Sequence, residues 1–341
     1  MTRMLRNTVV LLLASAISFA SSASAEPLKI RIGWNNALAH PQPLIDMLVK
    51  TQPELFHHYG KDYVVESSRF KGGSQEIQGI AAGDLDVIAF APSAFDIAVT
   101  NAHLELRIVA DVLQEGVKGY GASAFIVRTD SPIKKVEDLK GKRIAVNAIG
   151  SSEDAALRTM LHRHGVRVGQ YTEIEANFGA MRAMIEDGKV DMVAMLANDR
   201  SLVESGRYRV LFTMPDAVGP EQTVLWAMRR DFIAAHRPVL VDFFEDHLRA
   251  LRWLMNPANH ATVVDMLEKL TKLPKARLEF AFTKKDLYRS PDGTPDITAS
   301  QHEIDEMYDL KLLPKRIELR PDYVDLSLVR EAAQRLANEK E

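Results

Sequence analysis

The chain has 341 residues, no cysteine, and a formal net charge of −3 from 43 Lys and Arg against 46 Asp and Glu. Without cysteine there is no disulfide framework, thiol nucleophile or zinc–thiolate site, and a mildly acidic balance without basic clusters excludes a nucleic-acid footprint. The length suits about two domains of roughly 150 residues each.

Arg3 and Arg6 precede an apolar run from Val9 through Leu13 to Ile17 and Phe19, and small residues then end in Ala23-Ser24-Ala25 before Glu26. This is the pattern of a secretory signal peptide over residues 1–25, cleaved after Ala25. Its apolar core is shorter than the ~20 residues of a membrane-spanning helix. The expected location is the periplasm, and the absence of cysteine excludes a lipid anchor on a processed N-terminal Cys.

Residues 28–34 alternate apolar and polar side chains as a strand does, and Gly33 with Asn35-Asn36 ends them. Residues 41–49 place Leu44, Ile45, Leu48 and Val49 on one helical face. Residues 62–70, rich in β-branched and aromatic types, predict a strand stopped by Lys71-Gly72-Gly73-Ser74. Ser74 can cap a helix over Ile77, Ile80 and Ala81, which Gly83-Asp84 ends. Residues 85–91 are continuously apolar, as in a strand covered on both faces, and Pro92-Ser93 opens another helix. Strand and helix alternating three times predict a parallel α/β sheet.

The rhythm then restarts. Strands are predicted at 122–128, 143–147, 172–175 and 190–196, with a helical turn at 136–141. Helices are predicted from Ser152 to His164, closed by Gly165, and over 178–187, closed by Gly188. A strand at 223–228 leads into helices at 231–256, 262–273, 300–310 and 327–338, with Pro238 in an early turn of the first and Pro257 as its stop. Residues 289–295 read as a turn-rich loop.

Two phrases recur: Ile80-Ala81-Ala82-Gly83-Asp84-Leu85-Asp86-Val87, and Met184-Ile185-Glu186-Asp187-Gly188-Lys189-Val190-Asp191-Met192-Val193. Each is a helix end, a glycine that permits the left-handed terminating turn, and a buried strand with an early Asp. Between them stands Ile133-Lys134-Lys135-Val136-Glu137-Asp138-Leu139-Lys140-Gly141-Lys142-Arg143-Ile144-Ala145-Val146, followed by Gly150-Ser151. On these phrases the chain resembles the bacterial type II periplasmic binding proteins, in the branch that serves sulfonates, nitrate, taurine, thiamine-pyrimidine precursors and some aromatic acids. The resemblance covers nearly all of the chain after residue 25.

It implies an α/β, two-lobed fold, each lobe a mostly parallel sheet flanked by helices, with a helical C-terminal region. Lobe 1 would comprise residues 26–112 and 222–341, and lobe 2 residues 113–221. Hinge crossings would fall near 109–121 and 213–223, where Gly116, Gly119 and Gly121 suit a hinge as well as they suit an ordinary loop. A solute would sit in the cleft and close the lobes by a hinge motion.

Ligands of open α/β sheets bind beyond the carboxyl ends of the strands. The segments there are Trp34-Asn35, Gly73-Ser74, Pro92-Ser93 and Gly150-Ser151-Ser152. Helix starts offer unpaired N–H groups and the positive end of the dipole, a natural seat for sulfonate or carboxylate oxygens. Ser74, Ser93 and Ser152 are equally accounted for singly as N-caps; it is their placement after strands in both halves that points to binding. Asn147 and Asn198 also follow strands, where turn formation explains them as well. Trp34 and Trp226 are candidates to stack on a ligand, against core packing; Trp253 reads as core. Lys71 and Arg200 are the candidate cations, against ordinary solvated surface charge.

His57-His58 and His162 with His164 lack the spacing of a helical metal pair and read as surface residues. No phosphate-binding loop, dinucleotide fingerprint or nucleophile elbow is present, and no acidic pair stands apart for acid–base work. Thiamine-pyrimidine synthases, which share the fold, carry a cysteine-rich motif that this chain lacks. The expectation is a monomeric, non-enzymatic substrate-binding component of an ABC importer, without cofactor or metal, that captures a small organic anion: an alkyl or aromatic sulfonate or carboxylate, or a nitrate-like ion. Its partners would be the permease subunits with their cytoplasmic ATPase. The alternatives are a neutral pyrimidine or other heterocycle stacked on Trp34, and a sensory protein presenting its ligand to a membrane receptor.

Overall fold

A computed structural model describes residues 26–339 except 71, 148, 150 and 198–200. The expected leader 1–25, Lys71, Gly150, Asn198 and Arg200 therefore lie outside the described residues.

The chain begins with β1 (Leu28–Trp34), α1 (Gln42–Thr51), β2 (Tyr63–Arg69), α2 (Gly73–Ala82), β3 (Val87–Phe90), α3 (Pro92–Thr100) and β4 (Leu106–Glu115). The middle contains β5 (Ala124–Arg128), β6 (Arg143–Val146), α4 (Ser152–Arg163), β7 (Thr172–Glu175), α5 (Phe178–Glu186), β8 (Met192–Met195), α6 (Ser201–Glu204), β9 (Tyr208–Thr213) and α7 (Met214–Val218). It closes with β10 (Glu221–Arg229), α8 (Arg230–Met255), α9 (His260–Thr271), α10 (Ile297–Asp309) and α11 (Ser327–Asn338).

These strands form two five-stranded sheets, in the orders β2-β1-β3-β10-β4 and β7-β6-β8-β5-β9. In each, the neighbours built from strand–helix units are parallel, and two further strands extend the sheet antiparallel. The chain leaves the first sheet after Glu115 and returns to it at Glu221.

β4 and β9 are the strands the sequence pattern does not announce. In β4 the polar Asp111, Gln114 and Glu115 are all buried, so neither alternation nor a continuous apolar run survives. Asp111 accepts from Gln222 Nε2 at 2.7 Å and from the Ser290 N–H at 2.8 Å, which is how this buried edge strand tolerates a carboxylate. The helix after β2 also differs from expectation. Its N-cap is Gly72 and it starts at Gly73, leaving Ser74 exposed inside the first turn.

In lobe 1, α8 and α11 cover one face of the sheet around Trp226, Phe243, Phe244 and Leu328, while α3 and α10 cover the other around Phe90, Phe95, Ile304 and Met307. α8 bends at His236, two residues before Pro238. Lobe 2 has its own core around Phe125, Ile144, Leu157 and Val193. Ala155 and Ala197 of lobe 2 pack into lobe 1 clusters, so the lobes are in contact. No helix among the described residues is long and apolar enough to cross a membrane.

Two glycines are dictated by the crossings. A Cβ on Gly121 would stand 2.2 Å from the Lys285 carbonyl oxygen, because the Gly121 N–H donates to Asp286 O at 2.8 Å and draws the two backbones together. Gly116 has φ +79 and lies against Pro220 of the returning crossing, whose Cα would be 2.9 Å from an added Cβ.

Candidate functional site

β3 delivers the chain to Ala91, and Pro92, which has no N–H to lose, starts α3. No local side chain caps this helix. The Ser93 N–H instead donates at 3.1 Å to Oε1 of Glu303, 210 residues further along in α10. On the other lobe Ser151 is the N-cap of α4, its Oγ accepting from the Asp154 N–H at 3.3 Å. Ser152 follows, 3% exposed; its Oγ makes no hydrogen bond of ordinary geometry, yet lies near enough to Glu303 to stabilise the carboxylate. A carboxylate thus sits where helix starts of the two lobes meet, the chemistry of an anion seat. Burial nonetheless lifts the Glu303 pKa to about 7, with the Ser93 hydroxyl and N–H pulling it back.

Beside Glu303 lies a small pocket, with room for about one water, lined by Ala155, Val218, Glu221, His302, Glu303 and Glu306. Glu306 closes the rim by pairing with Arg163 Nη2 of α4 at 2.9 Å. Glu221 is 3% exposed, and neither of its oxygens has a hydrogen-bond partner. It stands directly across from Glu115 on the neighbouring strand β4. Glu115 is 1% exposed and accepts from the Ser123 N–H. Burial pushes Glu115 up to about 8; burial, with Glu303, Glu115 and Glu153 adding repulsion, drives Glu221 well above the carboxylate range. A separate small pocket lies inside lobe 1 among α1, β2 and α8 and shares no lining residue with the pocket beside Glu303.

The remaining sequence candidates divide. Trp34 ends β1 with 9% exposure, its Nε1 buried without a partner and the Arg69 guanidinium 5.8 Å from its ring centre. Asn35 donates from Nδ2 to Glu76 Oε1 at 3.0 Å, which fixes the loop after β1 against α2. Gly73 and Ser74 begin α2, and Asn147 is exposed after β6. Trp226 is corrected to a core residue: it is 2% exposed and stacked on Phe243 at 5.7 Å and 16°, with Phe244 and His247 against it, so its ring is not a cleft wall. Ser93 and Ser152 are not N-caps; Ala91 and Ser151 are.

The residues that sequence reasoning missed are Glu115, Glu221 and Glu303. Only Glu221 carried a signal, as the residue after Gly219-Pro220 at a crossing. Glu303 lies in a helix with many acidic neighbours, and nothing in its spacing sets it apart. The histidine pair lies elsewhere, on lobe 1. There His57, Glu245 and Glu339, and also His58, Asp242 and Glu245, bring ligand atoms within 4.8 Å of one another. Arg249 holds Glu245 at 2.9 Å and Glu339 at 2.7 Å, and Arg335 holds Asp242 at 2.8 Å, so these carboxylates already have cations.

Two α/β lobes, joined by two crossings and facing each other with helix starts, make this a type II periplasmic binding fold. The NMT1/THI5-like family model matches residues 65–261, more than half of the chain, and the chain belongs to that family. A Bacillus subtilis (strain 168) protein named for binding aliphatic sulfonates is 25% identical over 331 residues, covering 96% of this chain and 95% of that protein. The taurine-binding periplasmic protein of Escherichia coli (strain K12) is 23% identical over 236 residues, 67% of this chain and 70% of its own. The solved structure of the alkanesulfonate-binding protein SsuA from Xanthomonas axonopodis pv. citri bound to MOPS has a TM-score of 0.67 at 24% identity, covering 89% of this chain and 99% of that one.

Proposed function

We propose that the protein is the periplasmic solute-binding component of an ABC importer, and that it closes its lobes on a small organic acid of the sulfonate or carboxylate class. A solute-binding role is common to the relatives' names, and those names supply the acid class. The observation that carries the reading onto this chain is the Glu303 carboxylate, held by the Ser93 N–H of α3 with Ser152 of α4 beside it. A solute's acid group arriving at the same point meets donors from both lobes, so its binding favours the closed form. The crossings at Gly116 and Pro220, and at Gly121, would serve as the hinge, and the lobe surfaces around the cleft as the docking face for the permease.

The test is a thermal-shift series on the purified protein with alkyl and aromatic sulfonates, carboxylates, nitrate and uncharged pyrimidines. A ligand that binds only the native state stabilises it by RT ln(1 + [L]/Kd), about 2.7 kcal/mol at a hundredfold excess over Kd. The expected result is a shift with an acid class that weakens in Ser152→Ala. A shift confined to uncharged heterocycles overturns the acid reading.

A further inference from the structure

β4 is outermost in its sheet, yet its free edge is covered. The Asp111 N–H donates to Gly293 O at 2.8 Å, and Gln114 and Tyr288 exchange N–H···O bonds of 2.8 and 3.0 Å. Residues 282–294 thus run as a strap antiparallel to β4. Beyond the end of the strand the strap meets the first crossing between the lobes. There Asp286 O takes the Gly121 N–H at 2.8 Å, and Tyr120 packs edge-on against Tyr288 at 5.0 Å.

From the same strap Arg289, 2% exposed, reaches the loop between β1 and α1. Its Nη2 donates to the Leu38 and Ala39 carbonyls at 2.9 and 3.3 Å, while its Nη1 donates to the Asp286 carboxylate at 2.8 Å. The guanidinium lies 4.4 Å from the centre of the Phe282 ring. Phe282 holds a left-handed φ of +57, rare for a bulky side chain, and its N–H is taken by Asp286 at 2.9 Å. Such strain persists only where the surroundings over-determine it. In the loop itself His40 is 2% exposed, and its Nδ1 accepts the Asn35 N–H at 3.4 Å. Burial, with Arg289 adding to it, lowers His40 to about 3, so the ring stays neutral and keeps that lone pair. Neutralising Asp286 would not require a reach to Leu38 and Ala39; the second arm of the guanidinium joins two parts of the chain that are remote in sequence.

We infer that Arg289 is a positioning residue for solute binding: it sets the loop beyond the carboxyl end of β1 through the Leu38 and Ala39 carbonyls, and through Asp286 it couples that loop to the crossing at Gly121. Its bearing on the solute rests on the function proposed above. The coupling between loop and crossing does not.

Amide hydrogen exchange by NMR on the ligand-free protein tests the coupling without any solute. Arg289→Lys keeps a charge for Asp286 but loses the planar fork that serves both sides. The expected result is that Ala39, His40 and Gly121 lose protection together by about tenfold or more, while the lobe 2 sheet is unchanged. Coupling is reciprocal, so Gly121→Ala, which forces the strap off the crossing, should deprotect Ala39 and His40. Loss confined to residues 38–40 in Arg289→Lys makes Arg289 a local brace and overturns the inference. A uniform loss over both lobes makes it a residue of general stability and overturns it equally. Isothermal titration with ethanesulfonate adds the binding readout: Arg289→Lys should weaken binding about tenfold, and unchanged affinity overturns the positioning role. If ethanesulfonate does not bind the native protein, that result counts against the acid reading alone, and the exchange pattern still decides the coupling.

Discussion

The two lobes carry the same clasp at different depths. In lobe 1, Asp86 just before β3 accepts from the Arg31 N–H at 2.9 Å and from its guanidinium at 2.9 and 2.6 Å, and Arg31 also reaches the Gly83 carbonyl. In lobe 2, Asp191 just before β8 accepts from the Arg143 N–H at 2.8 Å and from its guanidinium at 3.1 Å, and Arg143 reaches the Gly188 carbonyl at 2.9 Å. The two recurring sequence phrases are thus one device: a helix-ending glycine and an aspartate that together hold an arginine of the neighbouring parallel strand. The Asp86 side chain is 2% exposed and Asp191 29%. Both clasps sit where β3 and β8 begin, opposite the ends that face the cleft. The motif most visible in the sequence therefore serves the fold and not the solute.

The depth difference sets the largest expected effect. Asp86→Ala strips a buried carboxylate from Arg31 and should cost about 3 kcal/mol. Asp191→Ala breaks the same contacts nearer to solvent and should cost about 1 kcal/mol or less. Trp34, Trp226 and Trp253, the only tryptophans, all belong to lobe 1 elements. In urea titrations Asp86→Ala should move the tryptophan fluorescence transition strongly. Asp191→Ala should move the circular dichroism transition slightly and the fluorescence least. Equal shifts in both variants would mean that exposure does not grade the clasp.

The helix starts differ between the lobes in the same spirit. Ser151 caps α4 from within its own turn, whereas α3 has no local cap and takes a carboxylate from α10. Ser151→Ala should lower stability by about 1 kcal/mol, the usual worth of a side-chain N-cap. Glu303→Gln keeps an acceptor for the Ser93 N–H while removing charge from the acidic cleft, so it should be neutral or stabilising. Parallel denaturation curves of the two variants check this, and equal losses would remove the distinction between a local cap and a borrowed one.

Much of this architecture is legible in the sequence because it is periodic. The strand at Leu28–Trp34, the glycine-closed helices before Asp86 and Asp191, and the final helix at Ser327–Asn338 follow from apolar spacing and glycine punctuation alone. β4 is hidden because its buried positions include acids whose partners, Gln222 and Ser290, are remote in the chain. The site is less legible for the same reason. The helix starts at Pro92-Ser93 and Ser151-Ser152 were visible as strand-to-helix turns. That α10 returns to place Glu303 between them depends on a contact 210 residues long, which no local pattern encodes. Trp226 was misread because an aromatic on a central strand looks the same whether its ring meets solute or, as here, Phe243.

The smallest expected effect is a tilt of stability with pH that separates the cleft from the interior of lobe 1. Burial raises Glu115 from an ordinary 4.5 to about 8 and Glu303 to about 7, and Glu221 rises further. A carboxyl with a raised folded-state pKa contributes stability that is complete below about 4.5 and lost as pH climbs through the folded value. Glu76, raised by burial to about 7 within lobe 1, and Glu173, raised by burial to about 8 within lobe 2, act in the same direction. Burial lowers His247 to about 4 and His40 to about 3, so in lobe 1 stability falls as pH drops below 6.5 and the unfolded chain takes up protons first. The ligand-free melting temperature should therefore peak in mildly acidic buffer and decline on both sides. The groups facing Glu221 are Glu115 from β4, Glu153 from α4, and Glu303 and Glu306 from α10, with Arg163 and His302 engaged by Glu306. Among the described residues no Lys, Arg or His pairs with Glu115 or Glu221, so Glu115→Gln with Glu221→Gln should flatten the alkaline decline between pH 6 and 8.5 and leave the acid decline unchanged. If the double variant keeps the full alkaline slope, the decline belongs to Glu303 and to Glu76 and Glu173 inside the lobes, and Glu115 and Glu221 titrate as ordinary surface acids.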